Sequence, residues 1–417
     1  MRPFLAAGLT LWMSLPAPAA DRVLLEGLVV DGDDRPIARA SVTAAGFEVR
    51  TGTTGKFTLA APKAAIVRVK MPGFAVVEFE ASGAPEVIEL EPRAVRAAYL
   101  TYWGLIDRRV REPVEGLLAS SELDALVVDV KGDRGFVPYA TTVPLAVALK
   151  ARGPATFRDF DRWIAAKKRE GIYLIARIVV FKDNVLSHGV PELAVKDSRT
   201  GLVWRDRERL GWVDPLRPEV WEYNVELAAE AARLGFDEIQ FDYVRFPTDG
   251  DLSAIEYSGA HAAADRVAAI KNFLGMARQT LSPMGVFVAA DIFGYTAFNE
   301  DDLEIGQRVE DVADVVDYLC PMIYPSGYHL GVPGHPNPVA HPEEVAFQTI
   351  QKMVARSKGR PVRVRPWIQD FRDYAFDRRA FGVKEIRAQI RGAARGGAIG
   401  YMVWNPRNVY TGAAYEE

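Results

Sequence analysis

Two aspartates at the ends of apolar, strand-like segments are the residues best suited to chemistry. Asp242 ends one such segment and is followed by Tyr243 and Arg245, and Asp291 ends the apolar run 286–290. Hydrolysis of a glycosidic bond requires two carboxyl groups that flank the bond, one as the acid and one as the nucleophile or base. Asp242 and Asp291 are therefore the predicted catalytic pair. We expect Arg245 to orient Asp242 and to lower the pKa of its carboxyl group.

Other acidic, amide and aromatic residues follow the remaining strand-like segments. Flat rings stack on the apolar faces of sugars while carboxylates and amides bind the hydroxyl groups, so this combination suits a carbohydrate. Each residue also has a structural interpretation, since strand-end aspartates cap helices, Lys131 can pair with a carboxylate and tryptophans can be core. Asp370 can likewise point outward while Gln369 faces the site. The predicted substrate contacts are Asp129, Lys131, Trp103, Tyr243, Arg245, Trp212, Tyr324, Gln369, Asp370, Trp404 and Asn405.

The elements that would position these residues alternate between strands and amphipathic helices from residue 93 to residue 417. Apolar residues recur three and four apart in the helical segments. Strands alternating with helices in this way predict a (β/α)8 TIM-type barrel of the α/β class, whose active site lies where the strands end. An open doubly wound sheet is the alternative, although its glycine-rich phosphate turn is missing after the first strand. The predicted strands are 97–102, 125–130, 173–181, 238–244, 286–292, 318–323, 364–368 and 399–404.

The segment after the eighth predicted strand is short. Only about a dozen residues follow it, which is too few for a loop and a full outer helix. We therefore expect the last helix of the barrel to be short or absent.

The first 92 residues have a different character. Residues 1–20 combine a positive start, an apolar run and a small-residue cleavage site at 17–19, which predicts a signal peptide and export to the periplasm or medium of a bacterium. An uncleaved N-terminal anchor helix is the alternative. Residues 21–92 contain short strands separated by turns, which predict a small all-β sandwich. The runs 27–31, 36–38 and 53–57 resemble the carboxypeptidase-regulatory-like β-sandwich, an accessory module that implies envelope or glycan docking rather than catalysis.

Composition and motifs argue against several other classes of protein. A net charge of −4 over 417 residues gives no electrostatic reason to expect a nucleic-acid partner. No segment after residue 20 is long and apolar enough to span a membrane. The single Cys320 cannot form an internal disulfide, and His329, His335 and His341 lack the spacing of a zinc site. We therefore predict no metal and no cofactor.

The segment 235–247, GFDEIQFDYVRFP, resembles the signature of a bacterial family described as glycoside hydrolases and long classed as a domain of unknown function. The resemblance extends from about residue 95 to the end, through matches at 126–131, 212–215, 289–294, 321–325 and 403–405. That family is similar to the α-amylase-like barrels. The similarity implies a (β/α)8 fold, with an aspartate after strand four as nucleophile and a carboxylate after strand five as acid. Asp242 and Asp291 match these positions, although amylases have Glu after strand five.

The resulting hypothesis is an exported glycoside hydrolase that cleaves O-glycosidic bonds of a poly- or oligosaccharide. Asp242 would be the nucleophile or base and Asp291 the acid, while Asp129, Arg245 and Tyr324 hold the substrate. One alternative is a catalytically inactive barrel protein of the cell envelope that binds glycans. Another is a deacetylase or related metal hydrolase.

Overall fold

The structure is a computed structural model that describes residues 21–416. The predicted signal peptide, residues 1–20, lies outside the described residues. The described chain forms two compact units, one made of residues 21–70 and 76–90 and the other of residues 71–75 and 91–416. Within residues 21–416, no helix combines the length and the apolar character needed to cross a membrane.

The first unit contains seven strands, β1 (Arg22–Val30), β2 (Ser41–Ala44), β3 (Phe47–Arg50), β4 (Lys56–Pro62), β5 (Ile66–Lys70), β6 (Val77–Glu80) and β7 (Val87–Glu89). They form two small sheets with strand orders β4-β1-β7 and β3-β2-β5-β6. Along β4, buried Phe57, Leu59 and Ala61 alternate with exposed residues, as expected for a strand with one face on a core. The small all-β unit is thus as predicted, while the carboxypeptidase-regulatory-like resemblance stays a prediction.

The second unit alternates strands with helices. Its strands are β8 (Arg96–Leu100), β9 (Ala125–Lys131), β10 (Tyr173–Val179), β11 (Lys196–Asp197), β12 (Glu238–Asp242), β13 (Ile255–Glu256), β14 (Phe287–Phe293), β15 (Tyr318–Met322), β16 (Arg363–Val364), β17 (Trp367–Gln369) and β18 (Tyr401–Trp404). Its helices are α1 (Tyr102–Ile106), α2 (Arg108–Ser120), α3 (Pro144–Ala148), α4 (Phe160–Arg169), α5 (Asn184–Gly189), α6 (Pro218–Leu234), α7 (Ala263–Leu281), α8 (Val309–Ala313), α9 (Pro342–Arg356) and α10 (Val383–Gly396).

Eight parallel strand positions close into a barrel in the order β8-β9-β10-β12-β14-β15-β17-β18, and β18 pairs with β8. The seventh position is divided, because Arg365 and Pro366 separate β16 from β17 and proline has no N–H to donate to the ladder. Strands β9, β10 and β12 are buried along their whole length, as parallel strands covered on both faces should be. The predicted (β/α)8 barrel is confirmed. Strands β11 and β13 form a separate antiparallel pair in the loops.

The barrel departs from the predicted boundaries at its first strand. The strand ends at Leu100 because the hydroxyl of Thr101 accepts a hydrogen bond from the Gly104 amide at 2.9 Å and caps α1. Tyr102 and Trp103 therefore begin a short helix instead of ending the strand.

Residues 405–416, which follow the last barrel strand, form no eighth outer helix, as predicted. After β18, the described residues contain a single 3-10 turn at Gly412–Ala414. Tyr415 is fully buried there, and its hydroxyl donates to Asp370 at 2.9 Å. The short tail thus covers the core at the place where a helix would pack.

A buried ion pair lies inside the barrel. Arg365 donates to Glu238 on β12, and both side chains are fully buried. The hydroxyl of Tyr173 also donates to Glu238, at 3.0 Å. Because each charge is removed from water, the loss of one partner leaves the other uncompensated.

We predict that Arg365→Met lowers the free energy of unfolding by about 3–5 kcal/mol, because it leaves Glu238 charged and unpaired in the interior. The double variant Arg365→Met/Glu238→Leu should recover most of the loss. Chemical denaturation measures both values. The control is Arg391→Met, which breaks the exposed pair with Glu343 and should cost at most about 1 kcal/mol. A double variant as unstable as the single one would contradict the prediction.

Candidate active site

The C-terminal ends of the barrel strands open into three adjoining cavities. The first chamber has a volume of about 440 Å³ and is lined by residues that include Trp103 and Asp129. The middle chamber, of about 370 Å³, contains Asp242 in its lining. The third chamber, of about 380 Å³, is lined by residues that include Tyr295 and His329.

The three chambers form one cleft because neighbouring chambers share side chains. Tyr243 and Trp404 line both the first and the middle chamber. Tyr324 and Tyr374 line both the middle and the third chamber. Arg177 and Pro406 are also shared at the first junction, and Phe293 and Met322 at the second. Flat rings thus stand at both junctions, where they can contact the apolar face of a sugar.

Asp242 lies at the end of β12 in the middle chamber and is held by several donors. The Nε and Nη2 atoms of Arg177 donate to its Oδ2 at 3.0 and 2.5 Å, and the Tyr243 amide donates to its Oδ1 at 2.6 Å. Tyr243 has a φ of 48°, a left-handed conformation that costs a non-glycine residue about 1–3 kcal/mol and is common at functional sites. The strained turn and the guanidinium together fix the orientation of the Asp242 carboxylate.

Arg177, on β10, bridges two carboxylates of neighbouring strands. Its Nη1 donates to Oδ1 of Asp129 at 2.6 Å while its other nitrogens bind Asp242. Asp129 also accepts hydrogen bonds from the Tyr99 hydroxyl at 2.8 Å and the Tyr102 amide at 3.1 Å. Burial raises the pKa of Asp129, and the charge of Arg177 opposes this rise. Asp129, Arg177 and Asp242 therefore form a buried triad at the boundary of the first and middle chambers.

Asp291, at the corresponding position of β14, is more deeply buried. Asp291 is only 1% exposed, and its Oδ1 accepts a hydrogen bond from Nε1 of Trp367 at 2.7 Å. Its Oδ2 has no hydrogen-bond partner within residues 21–416. Burial raises the pKa of Asp291 well above its ordinary value, and the negative charge of nearby Asp242 raises it further. The two predicted catalytic carboxyl groups are thus close enough for the charge of one to affect the pKa of the other. Trp367 lines the middle chamber, however, and Asp291 does not.

Aromatic side chains surround this acidic centre. Trp404 stacks on Tyr99, with ring centroids 4.4 Å apart and planes inclined by 14°. The guanidinium of Arg177 lies 5.1 Å from the Trp404 ring, a cation–π contact. Burial, followed by the charges of Asp291 and Asp242, raises the pKa of Tyr324 well above its ordinary value. The Tyr324 hydroxyl therefore stays protonated and can donate a hydrogen bond in the cleft.

Arg245 does not bind Asp242 as the sequence suggested. Arg177 makes the hydrogen bonds that orient this carboxylate. The sequence did not predict that a side chain on β10 would bind Asp242. The guanidinium of Arg245 lies 4.8 Å from the ring centres of both Tyr243 and Phe293. Arg245 therefore contributes cation–π contacts to the lining of the middle chamber, and the prediction that it orients Asp242 is wrong.

Two further predicted contacts lie outside the cleft. Lys131 is fully buried, and its Nζ pairs with Asp183 at 2.7 Å. Trp212 is also buried, and its Nε1 donates to Asp206 at 3.1 Å. Lys131 thus joins the long segment after β10 to the barrel, and Trp212 holds two parts of that segment together, which are the structural interpretations noted for them above.

The residues that follow β17 and β18 are also structural. The Gln369 amide donates to the Ser326 hydroxyl at 2.7 Å. Asp370 points away from the cleft and accepts from Tyr415. Asn405 donates to the backbone carbonyl of Asp370. These three predicted substrate contacts instead join the last two strands to the loop after β15 and to the C-terminal tail.

Ligands for a metal ion do not cluster in the part of the chain that the structure describes. The rings of His335 and His341 lie 4.6 Å apart, but no group of three His, Cys, Asp or Glu residues within 21–416 could hold a metal ion. Cys320 is buried, and burial raises the pKa of its thiol far above the ordinary value.

Sequence reasoning missed Arg177, Tyr99 and Trp367, which hold the three carboxylates. The one available signal was Arg177 itself, a charged residue in the middle of the apolar run 173–181. A charge at such a position is buried, and a buried charge requires a partner.

Solved structures of glycoside hydrolases share the fold. The glycoside hydrolase domain of PgaB (BpsB) from Bordetella bronchiseptica matches with a TM-score of 0.54 and 17% identity, over 76% of this chain and 95% of that chain. Alpha-L-fucosidase isoenzyme 2 from Paenibacillus thiaminolyticus matches with a TM-score of 0.51 and 15% identity, over 78% and 48% of the two chains. At these identities the likeness shows the barrel fold alone.

A hypothetical protein from Ruminiclostridium thermocellum ATCC 27405 is 36% identical, with a TM-score of 0.41, over 46% of this chain and 96% of that chain. No curated protein matches this chain. Residues 97–410 match the sequence profile of a family described as "Putative glycosyl hydrolase domain". Because that match spans the whole barrel and well over half of the chain, the protein belongs to this glycosyl hydrolase family.

Proposed function

We propose that this glycosyl hydrolase cleaves O-glycosidic bonds of a poly- or oligosaccharide, with Asp242 as nucleophile or base and Asp291 as the general acid. The observation that best supports the proposal is the position of Asp242. It lines the middle chamber, both of its oxygens are held by donors, and Tyr243, Trp404 and Tyr324 surround it. A fixed carboxylate among flat rings suits the oxocarbenium-like transition state of glycoside hydrolysis.

The charges around Asp242 favour this role. The buried triad has two carboxylates and one guanidinium, so its net charge is negative where the sugar would bind. Positive charge develops on the anomeric carbon in the transition state, and a preorganised negative environment stabilises it. Arg177 also prevents the carboxylate from turning away, so no reorganisation is needed during the reaction.

Asp291 has the properties of an acid. A raised pKa keeps a carboxyl group protonated at higher pH than usual, as a proton donor requires. Its free Oδ2 can carry the proton, while the hydrogen bond from Trp367 holds Oδ1. In the proposal, the carboxyl turns past Trp367 toward the middle chamber to protonate the leaving oxygen.

A second candidate function is glycan binding without catalysis. The observation that favours it is the burial of Asp291, which is 1% exposed and separated from the middle chamber by Trp367. In that case the cleft would bind a glycan but lack a second carboxyl beside Asp242 in the lining of the middle chamber.

We also propose that residues 1–20 act as a signal peptide, which directs export of the protein and is then removed by cleavage. The support is the sequence pattern of residues 1–20. N-terminal sequencing of the protein from fractionated cells should find a chain that begins after Ala19 in the periplasm or the medium. An intact Met1 in the cytoplasmic fraction would contradict export.

Asp242→Asn should reduce the release of reducing ends by at least roughly 10³-fold, because it removes the nucleophile or base. Glycan binding should survive, since the amide keeps the shape of the side chain. Reducing-end assays and calorimetry on a glycan panel measure the two effects. The matched control is Asp161→Asn, an exposed aspartate on α4, which should leave activity unchanged. Wild-type protein that binds glycans yet releases nothing would instead support the second candidate.

Trp367→Phe should move the alkaline limit of activity to higher pH. Activity requires protonated Asp291, so it is lost as pH rises through the pKa of this carboxyl group. Nε1 of Trp367 stabilises the charged form and lowers that pKa, and its removal raises the pKa. The pH dependence of kcat measures the shift. Trp163→Phe removes a similar 2.7 Å hydrogen bond to Glu115 and should shift nothing. A limit that stays in place or moves to lower pH would disprove Asp291 as the acid.

A further inference from the structure

We infer that the cleft binds an internal stretch of a polysaccharide, with at least one sugar unit in each chamber, and that cleavage occurs within the chain rather than at its end. The inference rests on the proposed function and adds the class of substrate and the mode of attack. Its basis is the arrangement of the chambers and of the exposed rings around Asp242.

The middle chamber continues on two different sides. It shares Tyr243 and Trp404 with the first chamber, and it shares Tyr324 and Tyr374 with the third. The first and third chambers have no lining residue in common. Each therefore adjoins the middle chamber, where Asp242 lies, through a separate set of side chains. A sugar bound at this carboxylate has room for a neighbour in both directions.

The size of the chambers agrees with a polymeric ligand. Their volumes are about 440, 370 and 380 Å³, and pockets of about 300–1,000 Å³ each accommodate a small organic ligand. Each chamber can thus hold at least one sugar ring. A site for terminal sugars needs one such space at the carboxylate, whereas this cleft offers three in a continuous row.

The exposed aromatic residues mark both sides of the cleft. Within residues 91–416, Trp103 and Tyr374 are the large aromatic side chains left exposed, at 53% and 54%. Trp103 lines the first chamber, and Tyr374 lines the middle and third chambers. Exposed apolar rings are costly unless a ligand covers them, and exposed apolar surface often marks a binding site. That both rings fall in one cleft, one in the first chamber and the other at the junction of the middle and third chambers, indicates a chain that extends past both.

Neighbouring rings position both side chains. Trp103 packs edge-on against Tyr102, with ring centroids 5.0 Å apart. Tyr374 is parallel to Phe371, with centroids 6.2 Å apart and planes inclined by 10°. Rings held in this way lose little conformational entropy when a sugar stacks on them.

The first experiment uses the polysaccharide that wild-type protein cleaves in the glycan panel. Cleavage within the chain should lower the viscosity of the solution early, before many reducing ends appear, and should yield oligosaccharides. Single sugars released in proportion to reducing ends, with viscosity lagging behind, would overturn the inference while leaving the proposed function intact.

The second experiment measures binding of one- to six-unit fragments of that polysaccharide to the Asp242→Asn variant. Affinity should rise with each added unit up to at least three units, because each chamber adds contacts. Equal affinity for one unit and for three units would overturn the inference. If wild-type protein cleaves no glycan, fragments of the panel polysaccharide that binds best serve as the probe. A rise in affinity with length would then support the cleft although the proposed catalysis fails.

The third experiment tests the exposed rings. Trp103→Ala and Tyr374→Ala should each weaken binding of the longest fragments by roughly three- to tenfold, the value of one stacking contact. Binding of single sugars should change much less. Both side chains are exposed, so the variants should fold. Leu202→Ala alters an apolar residue that is 69% exposed and lies outside the lining of the three chambers, and it should have no effect. Long fragments that bind both variants as tightly as the parent protein would overturn the inference.

Discussion

The site depends on one buried guanidinium that serves two carboxylates. Arg177 binds Asp129 on one side and Asp242 on the other, and all three side chains are almost completely buried. Removing these charges from water is costly, and their mutual attraction offsets the cost only when the geometry is good. The arrangement therefore has one stable form. Asp242 is held in a single orientation before any substrate arrives, which is what electrostatic preorganisation requires.

Barrel closure makes this triad possible. Asp129, Arg177 and Asp242 lie on β9, β10 and β12, which are neighbours in the barrel although 113 residues separate the first from the last. Parallel strands all end at the same edge, so residues at the ends of adjacent strands face one opening. The next strand, β14, adds Asp291, and the negative charge of Asp242 raises the pKa of its carboxyl group. Four consecutive strands thus contribute the whole charged centre.

The same mouth combines rigid and exposed parts. Trp404, stacked on Tyr99 and covered by Arg177, is tied to the triad. Trp103 and Tyr374 project into the cleft farther from it and remain exposed. The segments after β10, β17 and β18 do not contribute many of the contacts that their composition suggested. Their tryptophans, amides and acids are used to fold the loops and the C-terminal tail onto the barrel.

Much of this protein follows from sequence alone. Alternating apolar strands and amphipathic helices determine an α/β fold with a parallel sheet, because the two periodicities demand buried parallel strands under a layer of helices. The position of Asp242 at the end of a buried strand places it at the mouth, because every strand of such a barrel ends there.

The tertiary structure decided which side chains reach the cleft. Gln369 and Asp370 are adjacent in sequence, yet both are used internally, and Lys131 turns to Asp183 rather than to the mouth. The direction in which a side chain points at a strand end depends on hydrogen-bond and packing partners that are distant in sequence. The pattern of residues along one sequence does not identify those partners. The partner of Asp242 is the clearest case. Nearby Arg245 was expected, but Arg177 on the adjacent strand binds it, because hydrogen bonding follows distance in space and not separation along the chain.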